Sequence, residues 1–339
     1  MAKKITYVLA IGLLTFFIIT PFLSYRTYKE ALKEEVFNHL ISTRDILKLQ
    51  IWNYFNERYG DVDVLSRNPV ISQAFIRLIN NYDTFGTESS QYQKIVNLYQ
   101  PLMEYYVSDY GYTNIFFIDK DGNVMFSAAK EKFTGSNLLT EEFKYLSITN
   151  VFKRGLEEAT FEDYRLNTTL NEYTSYFAAP VYDGGKLLGV LIIEIPFSHL
   201  DTMLTQRAGM GETGEMYLVG EDNLMRSNSR FSQEPTILTK EVDTEATRDA
   251  FDGYPGIKII KDYRGVPVLS AYTPLNLYFI NWVLIVEIDK TETFASIRSV
   301  KIKLITIGSI IGVIAIGYLY LTRRKNNHNI SESEEETYT

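Results

Sequence analysis

The chain has 339 residues, 45% of them apolar and 22% charged, a balance that fits a folded protein and excludes a largely disordered one. It contains no cysteine, which excludes disulfides, thiolate nucleophiles and cysteine-bound metals together. The net charge of −8, with no basic patch in the central region, argues against a nucleic-acid partner.

From the N-terminus, Ile5 to Leu23 runs 19 residues without a charge, and Leu304 to Leu321 runs 18. Each is the length of a helix crossing about 30 Å of hydrocarbon. For the first, an uncleaved anchor is favoured over a cleaved signal peptide, because the apolar run is long and no small-x-small site follows before Tyr25. Lys3, Lys4, Arg323, Arg324 and Lys325 favour both ends inside the cell, although Arg26, Lys29, Lys301 and Lys303 flank the other face. Gly308 and Gly312 make a G-x-x-x-G that lets two helices approach closely.

Between the spans, Tyr28, Leu32, Val36 and Leu40 recur every four residues, and Leu47, Ile51 and Tyr54 resume the stripe. No Gly or Pro interrupts Ser24 to Tyr59, so a long amphipathic helix is predicted to leave the membrane and to pack on the domain, on a second copy, or on both. Shorter helices follow at Val70–Asn81 and Gln91–Val107, the latter with a kink at Pro101. The period then changes. Asn114–Ile118, an Asp-Gly turn and Val124–Ser127 read as one hairpin; Tyr173–Val181, Asp183-Gly184-Gly185 and Leu187–Ile195 read as another.

The pattern repeats. Glu215–Val219, a turn at Gly220–Asn223 and Leu224–Ser227 mirror the first hairpin; Val266–Tyr272 and Trp282–Ile288 mirror the second. Gly189–Ile195 aligns with Trp282–Ile288, each with a glutamate just before the final Ile and each leading into a helical segment (Phe197–Leu204, Thr291–Val300). A period of about 95–100 residues implies a duplicated module rather than a solenoid. Antiparallel hairpins with separate helices imply an α+β fold.

Three ordered stretches in the second copy carry a family resemblance: Gly209-Met210-Gly211-Glu212-Thr213-Gly214-Glu215-Met216-Tyr217-Leu218-Val219-Gly220, then Asp222 to Phe231, then Asp262 to Tyr272. They resemble the signatures of the double Cache sensor family, found outside the membrane in bacterial chemoreceptors, sensor kinases and cyclases. The first copy is similar more loosely, through Phe177–Asp183 and the Gly189 strand. Asn223 stands where the family usually has a turn glycine, and Asn also tolerates positive φ.

The resemblance implies tandem PAS-like modules with antiparallel sheets on a long stalk helix, flanked by two transmembrane helices. Its expected divisions are a cytoplasmic N-terminus 1–4, a span 5–23, a stalk helix 24–66, a membrane-distal module 67–200, a proximal module 201–300, a span 304–321 and a short cytoplasmic tail 322–339. Family receptors continue into a HAMP linker and an output domain, whereas Thr322 to Thr339 reads as a disordered polar tail, basic and then acidic over Ser331–Glu336.

The expected function is therefore a membrane-anchored, extracytoplasmic small-molecule sensor of the bacterial inner membrane without its own output domain. The alternatives are a ligand-binding module that works with a partner kinase or chemoreceptor, or a fragment of a longer receptor. The expected partners are a small ligand (an organic acid or an amine), the lipid bilayer and a second copy of the chain. No cofactor or metal and no nucleic acid is expected.

Catalysis is not expected either. The glycines at 209, 211 and 214 lack the Lys-Ser/Thr of a phosphate loop and precede a strand. His39, His199 and His328 are too scattered to share a metal, and Asp119/Asp121 border a turn where Asp is common. Glu212 and Glu215 are a carboxylate pair, but the chain has no cysteine and no histidine beside a plausible nucleophile.

The resemblance places the ligand in the distal module. By position it covers Tyr112 and Phe117 on the first strand, the loop Phe161–Arg165, and Tyr173–Ala178. Asp163, Tyr164, Arg165, Tyr176 and Asp183 are the polar candidates: tyrosines to enclose an organic ligand, Arg165 to fork onto a carboxylate, Asp163 or Asp183 to pair with an amine. Each residue has a plainer role as core edge or solvated loop. The Arg-x-Trp-Tyr set of the amino-acid-binding members is missing, which argues against an α-amino acid. In the second copy, Arg226, Arg230, Tyr263 and Arg264 cluster either on an anion or in internal salt bridges with Asp222, Glu215 and Asp262.

Overall fold

The computed structural model describes residues 2–167, 172–206, 209–278 and 280–335. Helix α1 (Ala2–Ser66) contains the expected stalk in one unbroken run. It stops where Asn68 caps the next helix, α2 (Pro69–Phe85), by accepting the Val70 amide at 2.9 Å, with Pro69 in the first turn where no donor is lost. Gly86 closes α2 at φ +71° and Gly111 closes α3 (Ser90–Tyr110) at φ +70°, the left-handed region that glycine enters without a β-carbon clash. Pro101 sits inside α3 without ending it.

The first sheet is built from β1 (Asn114–Asp119), β2 (Val124–Ser127), β3 (Thr160–Asn167), β4 (Glu172–Asp183) and β5 (Lys186–Pro196), with helix α4 (Ser147–Gly155) before β3. All pairings are antiparallel, in the order β2-β1-β5-β4-β3. The stretch Phe161–Arg165, expected as a loop, is part of β3. It pairs with β4 through a bulge between Glu162 and Arg165, and such an insertion breaks the alternation that a sequence pattern needs.

Helix α5 (Ser198–Leu204) leads to a second sheet of β6 (Glu215–Gly220), β7 (Gly256–Lys261), β8 (Pro267–Leu277) and β9 (Ile280–Asp289), ordered β6-β9-β8-β7, with α6 (Glu245–Phe251) on its outer side. A Thr244–Thr247 capping box starts α6. Met225 bridges Val219, so the segment after β6 lies where β2 lies in the first sheet.

The inner faces of both sheets pack on α1 as one core. Leu40, Leu47, Ile51 and Phe55 of the helix meet Phe117, Phe177 and Leu191 of the first sheet, and Leu269, Trp282 and Leu284 of the second. Full burial of each such side chain contributes about 1.5–3 kcal/mol. The outer faces carry two separate cores, one beneath α4 with Phe116, Ile118, Tyr176 and Val190, the other beneath α6 with Tyr217, Val268 and Val283.

Strand β9 runs into the short helix α7 (Lys290–Thr293) and then α8 (Ala295–Glu335). Among the described residues, one helix is long and apolar enough to cross a membrane, Ala295–Tyr318, with mean hydropathy 1.9. The first expected span, residues 5–23, is helical as the start of α1, and many of its side chains lie outside the described residues. The expected disordered tail differs: the helix continues through Glu335, since no Gly or Pro after Gly317 interrupts it, while 336–339 lie outside the described residues.

A candidate ligand cavity on the outer face of the distal sheet

Strand alternation decides which side chains reach the outer face. On β1, Phe116 and Ile118 point outward while Ile115 and Phe117 point into the helix-side core. On β4, Tyr176 and Ala178 point outward while Phe177, Ala179 and Val181 point inward. Above the outward set, the segment 129–147 folds back over the sheet and leaves a cavity of about 350 Å³.

Thr174 and Tyr176 form its floor; Glu131, Phe133, Ser136, Phe143, Ser147 and Ile148 form roof and wall, with Lys132, Glu142, Leu146 and Leu166 at the exposed rim. Backbone bonds pin the roof, including Gly135 N to Val124 O and Leu138 N to Gly122 O, each 2.8 Å. Side chains add to this: the Glu131 amide donates to Ser127 Oγ at 3.1 Å, and Thr149 Oγ1 donates to the Phe143 carbonyl at 2.7 Å. Phe133 stacks on Phe116 with 5.6 Å between ring centres.

At the floor, the Tyr176 hydroxyl donates to Glu194 Oε1 at 3.1 Å and accepts from Thr174 Oγ1 at 3.2 Å. Burial first, and the Glu194 charge second, push the Tyr176 phenol far upward, so it stays a protonated donor. Burial also raises the Glu131 carboxyl. Two wider depressions, of about 920 and 620 Å³, border α6, but they are open grooves; the distal cavity is the most enclosed of the three.

Of the seven residues singled out from sequence, Tyr176 lines this cavity. Tyr112 lies on the opposite face, where its hydroxyl donates to Asp61 at 2.8 Å and Arg58 sits 5.4 Å over its ring. Phe117 stacks on Phe75 of α2 at 4.9 Å. Asp163 and Tyr164, displaced by the β3 bulge, meet the second sheet: Asp163 accepts from Arg226 at 2.9 Å and from Trp282 at 3.2 Å, and Tyr164 stacks on Trp282 at 6.1 Å. Arg165 is exposed and pairs with Glu162 at 3.4 Å, and Asp183 is exposed at the β4–β5 turn. These six do not converge on the cavity; four of them build the inner core and the joint between the sheets.

The other sequence candidates take structural roles. The Gly209–Gly214 loop is tied to both ends of the domain: His39 Nε2 lies 2.9 Å from the Gly209 carbonyl, and the Glu292 carboxylate of α7 accepts the Glu212 and Thr213 amides at 2.9 and 2.7 Å. Asp119 accepts the Asp121 and Asn123 amides and shapes its own turn. Arg226 and Arg264 sit in internal ion pairs, with Asp222 and Asp163, and with Asp262 and Asp289. His39 is on α1 and His199 on α5, stacked on Tyr54, and no group of three metal-binding side chains occurs among the described residues.

Two antiparallel sheets strung along one helix, with a partly open cavity on the outer face of one, have the architecture of a two-module sensor domain. The chain belongs to the Cache-domain family, in its double form: the Cache domain model matches residues 24–297. Among solved structures it is similar to the ligand-binding domain of the Pseudomonas fluorescens chemoreceptor CtaA, in complex with L-isoleucine (TM-score 0.52, 14% identity, 80% of this chain and 99% of that one). It is also similar to the ligand-binding domain of Campylobacter jejuni Tlp3, in complex with 4-methylisoleucine (0.55, 14%, 77% and 94%). A third is that of Pseudomonas aeruginosa PAO1 PctC, in complex with GABA (0.51, 14%, 75% and 100%). At these identities the likeness is one of fold. No curated protein matches the chain in sequence.

Proposed function

We propose that the chain is an extracytoplasmic sensor, anchored in the bacterial cell membrane, that binds a small amine in the distal cavity. The observation that carries the ligand class is the charge of the lining. Among the described lining residues, Glu131 lies half-buried inside and Glu142 stands at the rim, against one cation, Lys132. An ammonium group finds carboxylates and aromatic faces there, while a carboxylate on the ligand finds Lys132 alone among the described lining residues. The relatives bound to GABA and to isoleucine carry amine-bearing ligands, which agrees with this reading.

Membrane anchoring rests on the apolar Ala295–Tyr318 helix, which continues the domain without a linker. Action as a homodimer is supported by Ile46, Leu49 and Trp52, an exposed apolar stripe at helical spacing on α1, 59, 59 and 45% exposed. The role assigned is binding and signalling, with an output kinase or chemoreceptor as partner, and not catalysis.

Thermal denaturation of the detergent-solubilised full chain tests the ligand class, because a ligand specific for the folded state raises the melting temperature by mass action. Small primary amines and GABA should raise it and dicarboxylates should not, and Glu131→Gln should weaken the shift. Stabilisation by dicarboxylates alone, or by no amine in the set, would overturn the assignment.

A further inference from the structure

We propose that the proximal module is a second input, a proton-binding site centred on the buried pair Glu215 and Glu287. The two residues face each other across the β6–β9 ladder and are 3% and 1% exposed. Glu287 Oε1 accepts the Tyr217 hydroxyl at 3.0 Å, while among the described residues nothing lies within hydrogen-bonding reach of its Oε2. Ser270, the register partner of Glu287 on β8, likewise has a buried hydroxyl without a partner among them. Glu215 is fully engaged: it accepts Ser229 Oγ at 2.6 Å, the Tyr263 hydroxyl at 2.8 Å and the Arg230 amide at 3.0 Å.

The surrounding charges do not neutralise Glu287. From the β7–β8 turn come Asp262 and Arg264, and from the end of β9 comes Asp289. Arg264 spans both aspartates, at 2.6 and 2.7 Å. The segment after β6 contributes Ser229 and Arg230, whose guanidinium is held by the Gly214 carbonyl, and Lys240 lies 5.5 Å from the Tyr263 ring. A buried carboxylate with carboxylates for neighbours and an unsatisfied oxygen is costly when charged. A proton removes that cost. Burial, then Asp262 and Glu215, raise the Glu287 carboxyl to about 8, and burial raises Glu215 as well. The open groove lined by Asp262, Tyr263 and Lys261 brings solvent to the rim of the cluster, so the proton exchanges with water there.

When Glu287 ionises it repels Glu215, and the Ser229–Tyr263–Glu215 closure over the cluster loosens. Because the folded value is raised above the unfolded one, stability is highest below the unfolded range, falls as pH rises, and levels off beyond about 8. Strand β9 then carries the change directly into α7 and α8.

The experiment uses the full chain in detergent micelles and in three forms: wild type, Glu287→Gln and Glu215→Gln. Between about pH 6 and pH 9 the wild type should lose several degrees of melting temperature that Glu287→Gln does not lose. Removing the like charge in Glu215→Gln should move the midpoint of that loss to lower pH. Infrared difference spectra of the wild type alone should show a protonated-carboxyl band disappearing through the same midpoint, which keeps the test valid if a variant fails to fold. Hydrogen exchange at 227–236, compared with Glu287→Gln at equal pH, should rise above it. Equal pH dependence of melting in wild type and Glu287→Gln, or no protonated-carboxyl band in the wild type, overturns the proposal.

Discussion

In the distal module a tyrosine hydroxyl donates to a buried glutamate at the foot of a cavity, Tyr176 to Glu194. In the proximal module Glu287 stands at the matching place before the end of the last strand and accepts from Tyr217 of the opposite neighbouring strand. Ser229 and Tyr263 lie beside it, with Arg264 3.9 Å over the Phe231 ring. The carboxylate and the phenol are common to both copies. The covering segment differs. The distal roof is pinned by backbone bonds near its middle and by Phe133 stacked on Phe116, leaving the cavity beside that contact, whereas the proximal cover is drawn onto Glu215 by side-chain hydroxyls. The duplicated sheet thus supplies the buried glutamate twice, but its phenol comes from different strands. In the distal copy it comes from the middle hairpin strand, where the proximal copy has Ser270; in the proximal copy it comes from the first strand, where the distal sheet has Phe116. On the two proposals above, the covering segment decides whether a molecule or a proton is bound.

A second exchange joins the modules. In the distal sheet Gly189 faces Asp119, and a β-carbon at Gly189 would collide with the Ile118 carbonyl oxygen. The aligned residue in the proximal sheet is Trp282, facing Gly220, where a β-carbon would strike the Arg226 guanidinium. Trp282 and Arg226 both reach Asp163 of the distal sheet. The largest effect is expected here. Arg226 is 5% exposed, and its removal leaves Asp163 in the joint without its counter-charge. Arg226→Ala should cost about 3–5 kcal/mol in chemical denaturation. Arg226→Lys should recover only part of it, because an ammonium cannot reproduce the fork to Asp222 and Asp163. A loss under 1 kcal/mol for the alanine variant would mean that the two modules are joined through α1 alone.

Gly189→Ala comes next, at about 1–3 kcal/mol from forced displacement of β1 against β5. Its signature is regional. Hydrogen exchange should rise in β1, β2 and the roof 129–147, which hang on that pairing, and leave β6 and β9 unchanged. Equal loosening of both sheets would mean that they unfold as one unit along their shared core.

The repeat, the antiparallel hairpins and the stalk were legible because their apolar residues keep a strict period and their turns carry Gly or Asp. The cavity was less so. The sequence marks Tyr112 and Phe117 only by their place on or beside the first strand, but two-residue alternation sends Phe117 inward and Phe116 outward, a parity visible once Tyr176 is set as the outward reference. The β3 bulge reverses that parity within Asp163–Tyr164, and no composition marks it. Glu131, Phe133 and Phe143 lie in a segment with no period at all, held by backbone bonds that any sequence can make. Glu194 and Glu287 were visible as a repeated glutamate, and only the ladders show that each sits under a tyrosine.

Stability effects no larger than that of Gly189→Ala, and the sharpest comparison, come from removing one oxygen in each module. Tyr176→Phe and Tyr217→Phe each lose a hydrogen bond to a buried glutamate, which costs about 1–3 kcal/mol when an acceptor is left unmet. The distal loss should be the smaller of the two in stability, because the cavity admits water to the floor. Its main effect should be on the amine-induced rise in melting temperature, reduced several-fold. In the proximal module Tyr217 is the only hydrogen-bond donor seen on Glu287 among the described residues, so Tyr217→Phe leaves that carboxylate with none and should push its titration higher still, displacing the pH-dependent loss toward more alkaline pH. Melting curves across pH for both variants decide this. If the two phenylalanine variants respond alike to amine and to pH, the modules share one role, and the division into a ligand site and a proton site fails.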